Sequence, residues 1–237
     1  MDVKALPGFR RRIDITPAEL SVTAELEDDF HRMAVTIHHD GKQITDVLPV
    51  QTRAPWTTCD GALNVVKKTF IGRALNDCQR VGGKKKNCTH LFDLTQWAAA
   101  HAQDNSATRY DVAVSDPHLG ISYAQIEKNA LMEYQWQLRG FEVVAPKELA
   151  GMPLHQMRSW VESQSDEKIE AARILQWGAM IAHGRLRPMD EQSDASKMPP
   201  NCYTFQPDNA LLAERVGEIK DFSVNGIEPL MPLHTAN

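Results

Sequence analysis

Two cysteines stand at the starts of predicted helices, where thiol chemistry is favoured. Cys59 precedes apolar residues that recur at three- and four-residue spacing, and Cys88 precedes a second such pattern that runs to about Gln103. The N-terminus of a helix presents unpaired N–H groups and a partial positive charge, which stabilise a thiolate and lower the pKa of a cysteine. The sequence therefore predicts two thiols that are primed as metal ligands or nucleophiles.

An acidic residue and two histidines accompany these thiols in the sequence. Asp29 and His31 lie where the first two strands of a predicted meander meet, and His90 follows Cys88 by two positions. A carboxylate, thiolates and an imidazole are donors that suit zinc or iron. We expect Asp29, Cys59 and Cys88 to bind a divalent metal, and His90 or His31 to move a proton as the catalytic residue.

A simpler interpretation of the same residues stays open. Cys59 and Cys88 are far apart in sequence and lack the close C-x-x-C spacing of a zinc finger. Both can be small buried residues, with His90 forming a hydrogen bond to Asp93 within the first turn of its helix. The positions of the two sulfur atoms in the fold decide between these alternatives.

Composition excludes several classes of protein. The chain has 237 residues, with 26 Lys and Arg against 31 Asp and Glu, and this acidic balance argues against nucleic acid as a partner. No apolar run has the length of a membrane span, and the basic run at residues 10–12 lacks the apolar stretch of a secretory signal. Four cysteines are too few for a disulfide scaffold, so we expect a cytoplasmic protein. No dinucleotide or P-loop motif is present, and no nucleotide cofactor is expected.

Alternating and helical patterns divide the chain into two halves. Alternation predicts strands at 21–27, 33–37 and 44–50, with a turn at Asp40-Gly41, and helices then start near Cys59 and Cys88. The second half has predicted strands at 110–114, 122–128, 133–138 and 141–144. A helical stretch in two pieces follows at 152–184, then a loop at 188–200 and a final helix at 208–217. We expect an α+β fold, an antiparallel meander with packed helices followed by a second β-hairpin and helical half. The expected domains are 1–108 and 109–237, which can also form one continuous domain.

Four sequence segments in order resemble a bacterial family known as domain of unknown function 2889. The segments are Leu26-Glu27-Asp28-Asp29-Phe30-His31, Pro55-Trp56-Thr57-Thr58-Cys59, Asn87-Cys88-Thr89-His90-Leu91-Phe92-Asp93-Leu94 and Cys202-Tyr203-Thr204-Phe205-Gln206-Pro207. The resemblance runs from Arg11 to Leu230, and Asp221-Phe222-Ser223 fits it as well. Proteins of this kind are associated with the breakdown of aromatic or steroid compounds, which implies a small aromatic or polycyclic substrate.

The first half is also similar, more distantly, to the NifU-type iron–sulfur scaffold. That resemblance implies that Cys59 takes the place of the scaffold's middle cysteine, Cys88 that of its late cysteine, and Asp29 that of its aspartate. The early cysteine is missing, because the corresponding position falls near Glu27 or Asp28. A cluster is normally held by more thiolates than this, so a mononuclear metal fits better.

These observations together predict a metal-dependent enzyme with an enclosed pocket. The second half is expected to cover a pocket lined by aromatic side chains, namely Trp56, Phe92, Tyr203 and Phe205. We expect a non-redox carbon–carbon lyase of aromatic catabolism that uses zinc or iron, with loss of formaldehyde from a lignin-derived aromatic dimer as the specific reaction. The alternative is an iron–sulfur or sulfur carrier or scaffold protein. A homo-oligomer is compatible with either function.

Overall fold

The computed structural model describes residues 1–186, 194–224 and 226–231. The strands are β1 (Gly8–Ala18), β2 (Ser21–Asp28), β3 (Arg32–His39), β4 (Ile44–Arg53), β5 (Thr108–Ser115), β6 (Ser122–Lys128), β7 (Leu131–Arg139), β8 (Glu142–Ala145) and β9 (Met152–Pro153). The α-helices are α1 (Ala62–Phe70), α2 (Thr89–Ala100), α3 (Arg158–Glu162), α4 (Asp166–Ala182) and α5 (Pro207–Ala210). Nine strands hydrogen-bond in the order β4-β3-β2-β1-β5-β6-β7-β8-β9 as an antiparallel sheet, and the predicted α+β class is confirmed. Within the described part of the chain, no helix combines the length and the apolar content that a bilayer span needs.

The chain divides into two compact units, and each contains segments that are distant in sequence. The meander unit comprises Ile13–Thr108 and Pro188–Glu218, and the hairpin unit comprises Met1–Arg12, Arg109–Arg187 and Ile219–Asn237. The chain passes from one unit to the other between residues 108 and 109, and the expected domains 1–108 and 109–237 stay a prediction. Residues 1–12 group with the segment after this point, and residues 194–218 group with the segment before it.

The meander unit is built as the alternation of its strands predicts. Strands β2 and β3 pair in antiparallel register, with Val22 opposite Ile37 and Leu26 opposite Met33, and all four side chains are buried. Gly41 has a φ of +89° in the turn after β3, which confirms the predicted Asp-Gly turn. Helix α2 packs against β2 and β3, and helix α1 packs against β4. This packing brings the first turn of α2 close to the loop that joins β2 to β3.

Strand β1 is an element that the sequence pattern did not indicate. Its run Arg10, Arg11 and Arg12 is typical of a solvated segment, yet all three residues are at least 90% buried. Ordered partners compensate for that burial; Arg10, for example, donates to the carbonyl oxygens of Phe9 and Lys4. Since a buried charge is tolerated only when it is hydrogen-bonded, tertiary partners here override the usual exposure of arginine.

The final predicted helix, residues 208–217, is wrong in its length. Helix α5 ends at Ala210, and residues beyond it are held by bonds to an extended segment. The Thr57 N–H donates to the carbonyl of Glu214, and the Val216 N–H donates to that of Pro55. These long-range bonds replace helical ones and place Arg215 opposite Trp56. Of the loop predicted at 188–200, residues 188–193 lie outside the described residues.

The hairpin unit packs helix α4 against strands β6 and β7. Close approach is possible at Gly178, because a Cβ atom there would lie 3.0 Å from Cγ1 of Val112. Trp136 and Trp160 form an edge-to-face pair whose ring centroids are 5.7 Å apart. Two α-helices lie within the stretch predicted to be helical at residues 152–184, and they are separated at residues 163–165, as expected. The first is shorter than predicted, because residues 152–153 form β9 and Leu154–Gln156 form a 3-10 helix.

Candidate metal centre

A tight loop between β2 and β3 holds a carboxylate and an imidazole together. Oδ1 of Asp28 accepts the backbone N–H groups of Phe30 and His31, each at 2.8 Å, and contacts Nδ1 of His31 at 2.9 Å. The N–H of Asp28 in turn donates to the His31 carbonyl at 2.8 Å. Asp28 is fully buried and His31 is 7% exposed. The sequence folds in this way because an aspartate can hydrogen-bond the backbone two and three residues further along the chain.

A second histidine meets this loop from helix α2. His90 is the second residue of the helix, and its ring centroid lies 4.1 Å from that of His31, with 36° between the ring planes. Ligand atoms of Asp28, His31 and His90 all lie within 4.8 Å of one another. Ligands about 2.0–2.1 Å from one zinc ion are about 3.3 Å apart at a tetrahedral angle, so small side-chain movements would close this group on an ion.

The contact with Asp28 bears on the tautomer of His31. When the carboxylate is ionised it only accepts hydrogen bonds, so Nδ1 of His31 is then the donor. The lone pair is in that case on Nε2, which can bind a metal or take a proton.

Arg53, the last residue of β4, donates hydrogen bonds to the backbone of the loop between β2 and β3. The guanidinium of Arg53 donates to the carbonyl oxygens of Asp29 at 2.8 Å, Asp28 at 2.6 Å and His31 at 3.3 Å. It also contacts Oε1 of Glu27 at 3.1 Å, and the Glu27 side chain is 2% exposed. The fork of one partly buried guanidinium thus fixes the positions of three loop carbonyls, and the sequence alone gave no signal for this role.

Replacing Arg53 by lysine is expected to weaken metal binding at this centre by about 10–100-fold, the cost typical of losing a residue that orients a ligand. A lysine ammonium cannot reproduce the planar fork, so the loop carbonyls lose fixed partners. Titration of the purified protein with zinc measures the effect. Arg32→Lys is the matched control, because Arg32 contacts the same Glu27 at 3.2 Å. Equal losses in both variants would show that Glu27, and not the loop, transmits the effect.

Of the metal ligands predicted from the sequence, none is in this group. Asp29 is the residue after Asp28, whose carboxylate is in the group, and Asp29 is fully buried. Cys59 lies in a short 3-10 helix, Thr57–Gly61, that precedes α1, and Cys88 immediately precedes α2. Among the residues that the structure describes, no cysteine belongs to a group close enough to hold a metal. The two predicted catalytic residues, His31 and His90, are brought together.

Three of the cysteines are nevertheless neighbours in the meander unit. Sγ of Cys59 lies 3.4 Å from Oγ1 of Thr204, and the N–H of Tyr203 donates to the carbonyl of Asn87, next to Cys88. The Cys88 thiol is close enough to those of Cys59 and Cys202 for their charges to interact. Cys202 was not assigned a role from the sequence, because its partners are more than 100 positions away.

The prediction of primed thiolates is wrong, and burial is the reason. Burial raises the pKa of the Cys88 thiol to about 12, although the N–H groups of Leu91 and His90 act in the opposite direction. Burial likewise raises the pKa of Cys202 to about 11, and it raises the pKa of Cys59. Desolvation of a thiolate therefore outweighs the favourable field of the helix N-terminus.

Alkylation of the native protein should reveal these raised pKa values. At pH 8 a thiol with a pKa of about 11 is about 0.1% ionised, so Cys202 should react with iodoacetamide about 200-fold more slowly than a cysteine of ordinary pKa. Mass spectrometry of timed samples measures the rate, and the guanidinium-unfolded protein is the control. A native rate equal to the unfolded one would contradict the raised pKa.

The aromatic residues expected to line a pocket are divided between two environments. Trp56 and Phe205 meet edge to face, with ring centroids 5.8 Å apart, and Cys59 packs against their cluster. Tyr203 lies against Gly61, where a Cβ atom would overlap the tyrosine oxygen.

Phe92 takes a different place. It is 2% exposed and packs against Phe70, with the ring centroids 4.9 Å apart. The guanidinium of Arg215 lies 5.1 Å from the ring centroid of Trp56 and 5.9 Å from that of Phe30, the residue before His31. An aromatic and cationic flank therefore adjoins the centre.

Comparison of the sequence with protein-family models and with curated proteins found no match in either case. The function of this site is therefore inferred from its geometry.

Proposed function

We propose that this protein is a metal-dependent enzyme for a small molecule, in which Asp28, His31 and His90 bind zinc or ferrous iron. The observation that supports the proposal is the convergence of one carboxylate and two imidazoles within 4.8 Å. Two histidines and one carboxylate are a recurrent donor set of catalytic zinc and non-haem iron sites. Three protein ligands leave a coordination position for substrate or water, whereas structural zinc sites are closed by four.

The surroundings suit a ligand that develops negative charge next to an aromatic ring. Phe30 contacts the His31 ring edge to face, with centroids 6.1 Å apart, and the Arg215 guanidinium lies 5.9 Å from the ring centroid of Phe30. A bound divalent cation would act as a Lewis acid on a substrate oxygen. His90 is half-buried and therefore the more accessible imidazole of the pair.

We retain a non-redox carbon–carbon lyase as the reaction class, on a small aromatic substrate. In a cleavage that releases formaldehyde from a hydroxymethyl group, the alkoxide oxygen forms the C=O bond as the C–C bond breaks, and the electron pair left on carbon is taken up by a proton or by loss of an adjacent leaving group. A divalent cation held by Asp28, His31 and His90 would stabilise the alkoxide. The four cysteines are free thiols, which agrees with activity in the reducing cytoplasm.

Metal analysis tests the proposal directly. Protein purified and loaded with zinc or ferrous iron should retain about one equivalent and gain thermal stability, because a ligand that binds the native state stabilises it. Cys59→Ser and Cys88→Ser should retain the metal. Loss of metal in both serine variants would favour the thiol set predicted from the sequence and contradict the proposed centre. Release of formaldehyde from hydroxymethyl-bearing aromatic dimers then tests the reaction class.

An iron–sulfur or sulfur carrier is the other function expected from the sequence. Such carriers need thiolates, and the pKa of Cys88, raised to about 12 by burial, does not support one here. A brown protein with bound sulfide after anaerobic reconstitution would reverse this preference.

A further inference from the structure

The hairpin unit contains a cavity of about 200 Å³, and its lining shares no residue with the proposed metal centre. Its walls come from three parts of the chain that are distant in sequence: residues 4 and 10–12, residues 111–113, and residues 222–223 with 226–229. Cavities for drug-sized ligands usually have about 300–1,000 Å³. This cavity therefore has the size for a smaller ligand, such as one that carries a single ring.

The cavity wall has an excess of positive charge. It contains four cationic side chains, those of Lys4, Arg10, Arg11 and Arg12, against the two carboxylates of Asp111 and Glu228. Lys4 is also paired with Glu127, at 2.6 Å, and Arg10 donates to backbone carbonyls, so Arg12 is the cation that a ligand would address. The three arginines are at least 90% buried. Because guanidinium groups match carboxylates in shape and charge, a cavity of this kind favours a carboxylate ligand.

Glu228 already occupies the position that such a ligand would take. Its Oε2 lies 2.8 Å from Nη2 of Arg12, and the Glu228 side chain is 63% exposed while that of Arg12 is 10% exposed. The other edge of the same guanidinium is held by Asp111, at 2.7 Å from Nε. An exposed carboxylate that leaves an ion pair is readily hydrated, so displacement of Glu228 costs little. Loss of Asp111, in contrast, would leave the guanidinium without its buried partner.

Apolar side chains also line the cavity. Phe222 is 5% exposed, and Ile227 and Ala113 belong to the same wall. A ring or short hydrocarbon chain attached to the carboxylate would pack against these groups. We propose that the cavity binds a small carboxylate with an apolar body, which displaces Glu228 from Arg12.

Calorimetric titration of the full chain with benzoate, in the presence of a chelator, tests this proposal. Glu228→Gln should bind benzoate about 10-fold more tightly than the wild type, because the internal competitor loses its charge. Arg12→Lys should bind it about 10-fold more weakly, since an ammonium cannot hold Asp111, the Pro229 carbonyl and the ligand at once in the fixed geometry of a guanidinium. Glu148→Gln, at an exposed residue of the same unit, is the matched control and should bind like the wild type.

Other probes make the outcome decisive. Benzamide, which has the shape of benzoate without its charge, should not bind measurably, and inorganic phosphate should bind more weakly than benzoate. Absence of benzoate binding, equal affinity in the wild type and Glu228→Gln, or preference for phosphate would each overturn the proposal. His31→Ala should bind benzoate unchanged, so failure of the metal proposal and failure of this one are distinguishable.

Discussion

Replacing His31 or His90 by alanine is expected to lower the zinc affinity of the protein by at least about 100-fold. Each substitution removes one of three ligands, and even loss of a residue that only orients a ligand typically costs about 10–100-fold. Equilibrium dialysis followed by metal analysis, or competition with a chromophoric chelator, measures the affinity. His90→Ala is the cleaner variant, because its ring is half-buried in the first turn of α2 and alanine favours a helix.

His38→Ala is the matched control for this experiment. His38 is an exposed histidine on β3, a few residues beyond His31, and it should retain zinc at the affinity of the wild type. Unfolding by urea, measured in parallel, separates loss of a ligand from loss of the fold. If a folded His90→Ala protein bound zinc as tightly as the wild type, the centre would lie elsewhere.

The free energy of unfolding is expected to fall steeply as the pH rises above about 9. Burial raises the pKa of Cys78 to about 11, of Cys202 to about 11 and of Cys88 to about 12, against about 8.5 for a cysteine in an unfolded chain. The native state therefore holds these protons after the unfolded state has released them, and stability present below pH 8.5 is lost toward pH 11. Each thiol contributes about 1.4 kcal/mol per pH unit, so three contribute about 4 kcal/mol per pH unit. Total stabilities of about 5–15 kcal/mol imply unfolding near pH 11.

Urea unfolding of the reduced protein at several values of pH between 8 and 10.5 measures this slope. Cys78→Ala should reduce the slope by about 1.4 kcal/mol per pH unit, because one titrating thiol is removed. Val66→Ala truncates another buried side chain of the meander unit and serves as the control. It should lower stability equally at every pH. A slope that stays unchanged in Cys78→Ala would contradict the raised pKa of that thiol.

The sequence-based predictions are accurate where the interactions involved join residues that are close in the chain, and they fail where the partners are distant in sequence. The strands of the meander and the hairpin turn at Gly41 depend on neighbours within a few residues, and they are present as predicted. The stretch after Ala210 carries a helical pattern, but backbone bonds to residues 55–57 hold it extended. Strand β1 could not be predicted, because the partners that make buried arginines tolerable are not adjacent in sequence.

The candidate centre shows the same limit. Residue type and spacing were sufficient to select His31 and His90, but two adjacent aspartates are indistinguishable in sequence. The loop geometry separates them, since Oδ1 of Asp28 accepts the N–H groups of Phe30 and His31 and thereby reaches the imidazole. The sequence did contain a signal for Asp28, because an aspartate two and three residues before the backbone N–H groups that it accepts is typical of such a turn.

The amino-acid pattern was enough to predict the α+β class and the antiparallel meander, because periodicity is a local property. The protonation of the thiols depends on packing, since burial raises the pKa of Cys88 to about 12 where its helix position alone predicted a lowered pKa. The tertiary structure also decided that Arg12, Asp111 and Glu228 share one cavity. Desolvation and contacts between distant segments depend on the packed chain, and no short stretch of sequence specifies either.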